Sequence, residues 1–292
     1  MRVRVFALLS ALALWVVAAI PASAASQGHD YLALGDSVPF GFSPLLNASD
    51  ADNFVGYPEI AAQSLNIKDV NATCPGEATG GFLSLTGTDN VCRPYRAAFP
   101  LHTEYQTSQM DFVLRYLTGH RDTRLITLTL GANDFFRFQK DHPECVLAPT
   151  SPACLALTND VLLTMKANLT TIFANIRATG YSGLLIGVTY YSLSYIDSAS
   201  LTGAFLLNSQ METAAAAKGA LIADGFTAWE ATAFALGGGD SCKAGLLIRL
   251  SATKCDVHPT PLGRDLLAKA VVDTVAASCP AHDAIACLDV NR

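Results

Sequence analysis

The sequence predicts a three-layer α/β/α domain built on a parallel sheet. Short apolar, β-branched runs alternate with stretches of helical periodicity, the pattern of strands joined by crossover helices. The 292-residue chain is 51% hydrophobic, enough to fill one large core. No internal repeat, low-complexity tract or linker divides it, so residues 26–292 read as one domain.

Residues 1–25 stand outside that domain. Arg2 and Arg4 precede an apolar run from Phe6 to Ile20, then Pro21 and the small residues Ala22-Ser23-Ala24-Ala25. This is the layout of a secretory signal peptide cleaved after Ala24 or Ala25. The run falls short of the roughly 20 residues that span a bilayer, and no later segment is long and apolar enough to do so. The mature protein is therefore expected outside the cell, without stable membrane insertion. Losing both arginines takes the net charge from −6 to about −8, which disfavours nucleic acid and anionic lipid as partners.

Within the domain, Tyr31-Leu32-Ala33-Leu34 is the first buried strand. Pro58–Leu65 has helical spacing, and Leu65–Val70 leads on as a short second strand. Residues 74–106, rich in Gly, Thr, Pro and Cys, read as loop with one helical turn near Phe82-Leu83. Thr107–Leu117 is a helix candidate, and Leu125–Leu130 is the clearest strand, ending at Gly131. Residues 141–157 form a cysteine-bracketed insertion. Thr158–Thr179 places Leu162, Met165, Leu169, Ile172 and Ile176 at helical intervals before Gly180. Leu184–Thr189 is the next strand, Ala199–Lys218 an Ala-rich helix, Leu221–Ala223 a further strand and Thr260–Ala277 the closing helix.

Eight cysteines, an even count in a secreted chain, read as disulfides. They fall into sequence-local pairs: Cys74 with Cys92, Cys145 with Cys154, Cys242 with Cys255 and Cys279 with Cys287. Zinc is disfavoured because no Cys-x-x-Cys occurs and the histidines are scattered. Asn47-Ala48-Ser49, Asn71-Ala72-Thr73 and Asn168-Leu169-Thr170 fit the glycosylation acceptor pattern, which has meaning only in a eukaryotic host.

Four blocks bear chemistry: Gly35-Asp36-Ser37 after the first strand, Pro75-Gly76-Glu77 in a loop, Gly131-Ala132-Asn133-Asp134 after the Leu125 strand, and Asp256-Val257-His258-Pro259 before the last helix. In a parallel sheet the site lies outside the carboxyl ends of the strands, where Ser37 and Asn133 both fall. A serine hydroxyl needs a neighbouring base, and His258, at the entrance of an apolar helix, is the base candidate. In this order the blocks resemble the SGNH (GDSL-type) hydrolases, serine esterases and lipases on a flavodoxin-like parallel sheet. The resemblance covers residues 29–277.

That resemblance implies Ser37 as nucleophile and His258 as base. The family commonly places its aspartate three residues before the histidine, a position held here by Cys255, so Asp256, two residues before, is the candidate for orienting the ring. The resemblance also implies an oxyanion hole made by the backbone N–H of Ser37, the backbone N–H of Gly76 and the side-chain amide of Asn133. Asp36 and Asp134 read as loop-bonding residues. The implied reaction is double displacement through an acyl-enzyme, with no metal or organic cofactor. Phe40, Phe42, Phe82, Leu83, Phe135 and Phe136 lie near the blocks, so the expected partner is a small-molecule or lipid ester, met by a monomer. A carbohydrate-ester deacetylase and a catalytically silent carbohydrate- or lipid-binding module on the same fold are the alternatives; a phosphodiesterase would call for a metal cluster or basic residues that do not stand out.

Overall fold

Apolar, β-branched segments with both faces covered form parallel sheets. In the computed structural model, which describes residues 31–279 and 288, five such segments do so: β1 (Tyr31–Gly35), β2 (Asp69–Asn71), β3 (Leu125–Thr129), β4 (Leu184–Val188) and β5 (Leu221–Ala223). They pair in parallel in the order β2-β1-β3-β4-β5, the flavodoxin-like arrangement, whose switch point lies between β1 and β3. β1 and β3 pair from Tyr31 with Leu125 to Gly35 with Thr129, so both strands end level.

Helices fill the connections. α1 (Ser37–Phe40) and α2 (Tyr57–Leu65) follow β1. Between β2 and β3 come α3 (Thr79–Leu83), α4 (Cys92–Ala98) and α5 (Gln109–Gly119). After β3, α6 (Ala132–Asp141), α7 (Pro143–Leu147) and α8 (Pro152–Ala178) lead to β4, and α9 (Ser198–Ala216) leads to β5. α10 (Gly225–Gly237) then reaches an antiparallel hairpin, β6 (Leu247–Arg249) with β7 (Cys255–Pro259), and α11 (Pro261–Ala277) follows. The alternation of side chains along β1 separates the two layers. Tyr31 and Ala33 pack with Leu65, Leu267 and Val271, while Leu32 and Leu34 pack with Val113, Leu169 and Phe173.

The sheet and its long helices agree with the sequence reading; the differences lie between them. The second strand is Asp69–Asn71 because Asn66, in the left-handed region at φ +53°, first turns the chain out of α2. Residues 74–106 contain two short helices, α3 and α4. Ser151 caps α8, accepting from the Cys154 N–H, so the expected insertion 141–157 is largely α7 and the first turn of α8. The helices α6 and α10 and the β6–β7 hairpin are additions to the expected elements.

Three expected disulfides are present: Cys74–Cys92, Cys145–Cys154 and Cys242–Cys255. The fourth involves Cys287, which, like the expected signal segment 1–25, lies outside the described residues. No helix among the described residues is long and apolar enough to cross a membrane. Of the three acceptor triplets, Asn47 is exposed. Asn71 is 4% exposed and spends its amide on the Pro39 carbonyl (2.9 Å) and Glu59 Oε1 (2.7 Å).

Candidate active site

The site is assembled where β1 and β3 end. Gly35, at φ +128°, ends β1 so close to β3 that a Cβ would sit 1.9 Å from the Thr129 carbonyl oxygen, so no other residue fits. Asp36 follows, its N–H donating to that same oxygen (3.1 Å). Its carboxylate accepts from the Val38 N–H (2.9 Å) and so starts the turn of α1 that carries Ser37. On the other side of β1, the buried amide of Gln109 grips Gly35 at both ends of the residue: Oε1 accepts from the N–H (2.7 Å) and Nε2 donates to the carbonyl (3.1 Å).

His258 reaches Ser37 from β7, with Nε2 2.8 Å from Ser37 Oγ. Its Nδ1 bonds Asp256 Oδ1, which also accepts from the His258 backbone N–H at 3.1 Å. The spacing of two works because 255–259 is a strand, and residues i and i+2 of a strand project from one face. Cys255, at the position the resemblance assigned to the aspartate, is instead tied to Cys242. Burial pushes the Asp256 carboxyl up, but the hydrogen bonds and charge of His258 outweigh it and hold the carboxyl below its ordinary range.

The histidine strand is held from below. Tyr191 Oη donates to the Val257 carbonyl (2.5 Å). The Tyr191 ring stacks on Trp229 with centroids 3.7 Å apart, and Trp229 Nε1 donates to the Gly263 carbonyl in α11 (3.1 Å). Phe42 meets the imidazole edge-on at 4.9 Å.

Asn133 lies in the first turn of α6 and is 5% exposed. Its Oδ1 accepts from Asn90 Nδ2 (3.0 Å), which turns its own Nδ2 toward Asp36 Oδ2 (3.4 Å) and the cleft. Asp36 is therefore a junction of three loops, for Tyr190 Oη, after β4, also donates to Oδ2 at 2.5 Å. Burial raises the Asp36 carboxyl to about 6, against the hydrogen bonds from Tyr190 and Val38. Asn208 of α9 fixes Tyr190 in turn, accepting from its N–H (2.8 Å) and donating to its carbonyl (2.7 Å). Asp134 binds the Thr79 N–H (2.9 Å) and hydroxyl (2.6 Å), and Thr79 Oγ1 also accepts from Asn168 Nδ2 (2.9 Å). Asp36 and Asp134 thus do the loop-bonding work expected of them.

Gly76 sits in the turn after β2, where the Glu77 N–H returns to the Cys74 carbonyl (3.1 Å). At φ +83°, with Val91 Cγ2 2.0 Å from a would-be Cβ, the turn itself requires glycine. The Cys74 N–H donates to the Gly35 carbonyl (3.0 Å), which ties this turn to the end of β1. Glu77, Asp89 and Cys92 lie within reach of one cation, but the Cys92 sulfur is committed to Cys74 and the group does not suit a metal.

Ser37, His258 and Asn133 line a cleft of about 360 Å³ walled by Phe135 and Phe136 of α6 and by residues of α9. Such a cleft suits an apolar group set beside a polarised hydroxyl. Gln109, Tyr190, Tyr191 and Asn208 are the supports that sequence reasoning missed. Each acts through a contact distant in sequence, and the only local hint is a polar residue amid apolar neighbours.

The profile of the GDSL-like Lipase/Acylhydrolase family matches residues 33–266. No curated protein sequence matches the chain. Among solved structures, an extracellular lipase from Streptomyces rimosus is 20% identical with a TM-score of 0.55, covering 85% of this chain and 100% of that one. A phospholipase A1 from Streptomyces albidoflavus NA297 is 21% identical with a TM-score of 0.53, covering 84% and 98%. An acetylxylan esterase from Geobacillus stearothermophilus is 16% identical with a TM-score of 0.53, covering 85% and 94%. At these identities the likeness is one of fold.

Proposed function

The chain belongs to the GDSL-like lipase/acylhydrolase family, and on that footing we propose that it is a secreted serine hydrolase of carboxylic esters. The observation that carries this reading is the 2.8 Å contact of His258 Nε2 with Ser37 Oγ on the lining of an apolar cleft. Ser37 Oγ attacks the ester carbonyl carbon while its proton passes to His258 Nε2. Asp256, on Nδ1, keeps the ring in the tautomer with Nε2 free and stabilises the imidazolium that forms. The oxyanion is met by the Asn133 amide, the Ser37 N–H and the Gly76 N–H, each such donor being worth about 3–4 kcal/mol. Collapse of the tetrahedral adduct breaks the bond to the leaving oxygen, which takes the proton from Nε2. Water, deprotonated by His258, then attacks the acyl-enzyme and releases the acid and Ser37.

The Asn90 bond to Oδ1 supports the Asn133 role, since it turns Nδ2 to the cleft side, where one hydrogen goes to Asp36 and the other is left for the oxyanion. Secretion is supported by three disulfides, which persist in oxidising compartments. The N-terminus of protein recovered from culture medium should begin at Ala25 or Ser26.

The test is hydrolysis of p-nitrophenyl esters by the mature protein and by Ser37→Ala, paired with a fluorophosphonate probe. The expected result is turnover and labelling that both vanish in Ser37→Ala. Turnover that survives the substitution would overturn the serine mechanism, and folded protein that neither turns over nor labels would point to the silent binding module.

A further inference from the structure

The α9 wall of the cleft is made of Ala199, Gly203 and Leu207, spaced four apart along one stripe, with Ser200 and Ala204 beside it. From Ala199 to Leu207 the stripe runs about 12 Å. Among the described residues lining the cleft there is no lysine, arginine or glutamate, and the one aspartate, Asp36, stands with His258 at the reacting end.

Gly203 is the informative residue. A glycine inside a helix is destabilising relative to alanine, so its presence needs a cause. At Gly263 of α11 the cause is packing, because a Cβ would lie 2.6 Å from Trp229 Cζ2. At Gly203 neither backbone nor packing supplies one: its φ lies outside the left-handed region, and a Cβ would meet nothing within 4 Å. What glycine does there is leave the cleft wall open.

We propose that an aliphatic acyl chain lies along this stripe, between α9 and Phe135–Phe136, and that Gly203 sets how long a chain enters. This rests on the serine-hydrolase reading above and narrows it to esters of medium or longer fatty acids. An acetyl group would leave the stripe empty, and away from the reacting end Ser200 and Gln139 are the polar side chains a sugar would find among mostly apolar ones.

Each methylene buried along the stripe raises kcat/KM about fourfold until the groove is filled. The experiment compares p-nitrophenyl acetate with p-nitrophenyl octanoate in the wild type, Gly203→Ala, Gly203→Leu and Gly119→Leu. Gly119, exposed at the end of α5, also has nothing within 4 Å of a would-be Cβ and controls for loss of a helical glycine. The octanoate-to-acetate ratio should exceed one hundredfold in the wild type, fall at least tenfold in Gly203→Leu, fall less in Gly203→Ala and stay within twofold in Gly119→Leu. A flat profile in the wild type, or an unchanged ratio in folded Gly203→Leu, would overturn the proposal. Hydrolysis that persists in Ser37→Ala would instead sink the serine mechanism. Calorimetric titration with decanoate, in Ser37→Ala with and without Gly203→Leu, then decides the groove without turnover: binding lost with leucine supports it, and equal binding or none in Ser37→Ala refutes it.

Discussion

Glu77 is 3% exposed and follows the glycine proposed as an oxyanion donor. Burial, reinforced by the nearby Asp89 carboxylate, pushes its carboxyl up to about 8, against the pull of Arg96, the Gln109 hydrogen bond and Arg93. In the unfolded chain the same group loses its proton near its ordinary value of 4.5. Between those two values the folded state holds one proton more than the unfolded state, so stability must fall as pH rises. The slope approaches about 1.4 kcal/mol per pH unit, or roughly 4 kcal/mol between pH 5 and pH 8. Glu77→Gln preserves the shape and removes the proton. Urea unfolding at pH 6.5 and pH 8 isolates it, because Asp36 and Asp134, raised to about 6, have by then largely ionised in both states. The variant should gain about 2 kcal/mol over the wild type across that interval. Stability curves that run parallel for the two proteins would show that Glu77 is already ionised in the fold and would refute the argument.

Other outcomes follow from the site. Asn133→Ala should lower kcat for a preferred ester by about 10²–10³; a drop under tenfold would remove its amide from the oxyanion hole. Tyr191→Phe deletes only the hydroxyl that holds the Val257 carbonyl, so it should cost about 1 kcal/mol of stability and lower kcat about tenfold with KM little changed. A loss confined to stability would mean that the histidine strand holds itself in place. Replacing Cys242 and Cys255 by serine should remove about 2–3 kcal/mol and cut activity more than the same change at Cys145 and Cys154, as thermal melts and ester assays would record.

The sheet was legible because its signal is compositional: Leu125–Thr129 and Leu184–Val188 are covered on both faces and are rich in apolar and β-branched residues. The nucleophile and base were legible because each adjoins an element boundary that glycine or proline marks. The Asp256 spacing was harder. Two residues is the wrong distance for a loop to be trusted and the right one for a strand, and β7 carries no apolar alternation that would have announced it. α6 escaped because Phe135 and Phe136 face the cleft, so its apolar positions do not follow one core-facing stripe. α10 escaped although Trp229 and Ala233, one turn apart, are both buried, because Ala and Thr at the intervening positions blur the contrast. Gln109 lies beyond such reading altogether, since a buried amide is explained by its partners, and Gly35 stands 74 residues away.

The internal commitments of Asn71 bear on how the chain could be handled during synthesis. A glycan on its amide nitrogen would displace a donor that closes β2 against Pro39 and Glu59, and one on Asn168 would break the contact that holds Thr79. Asn47 pays no such penalty. In a glycosylating secretory pathway, sugar on Asn71 could be acquired only before the sheet formed and would then forbid its formation. Occupancy of that residue, read by mass spectrometry of the peptide, would count the molecules in which the modifying enzyme outran folding.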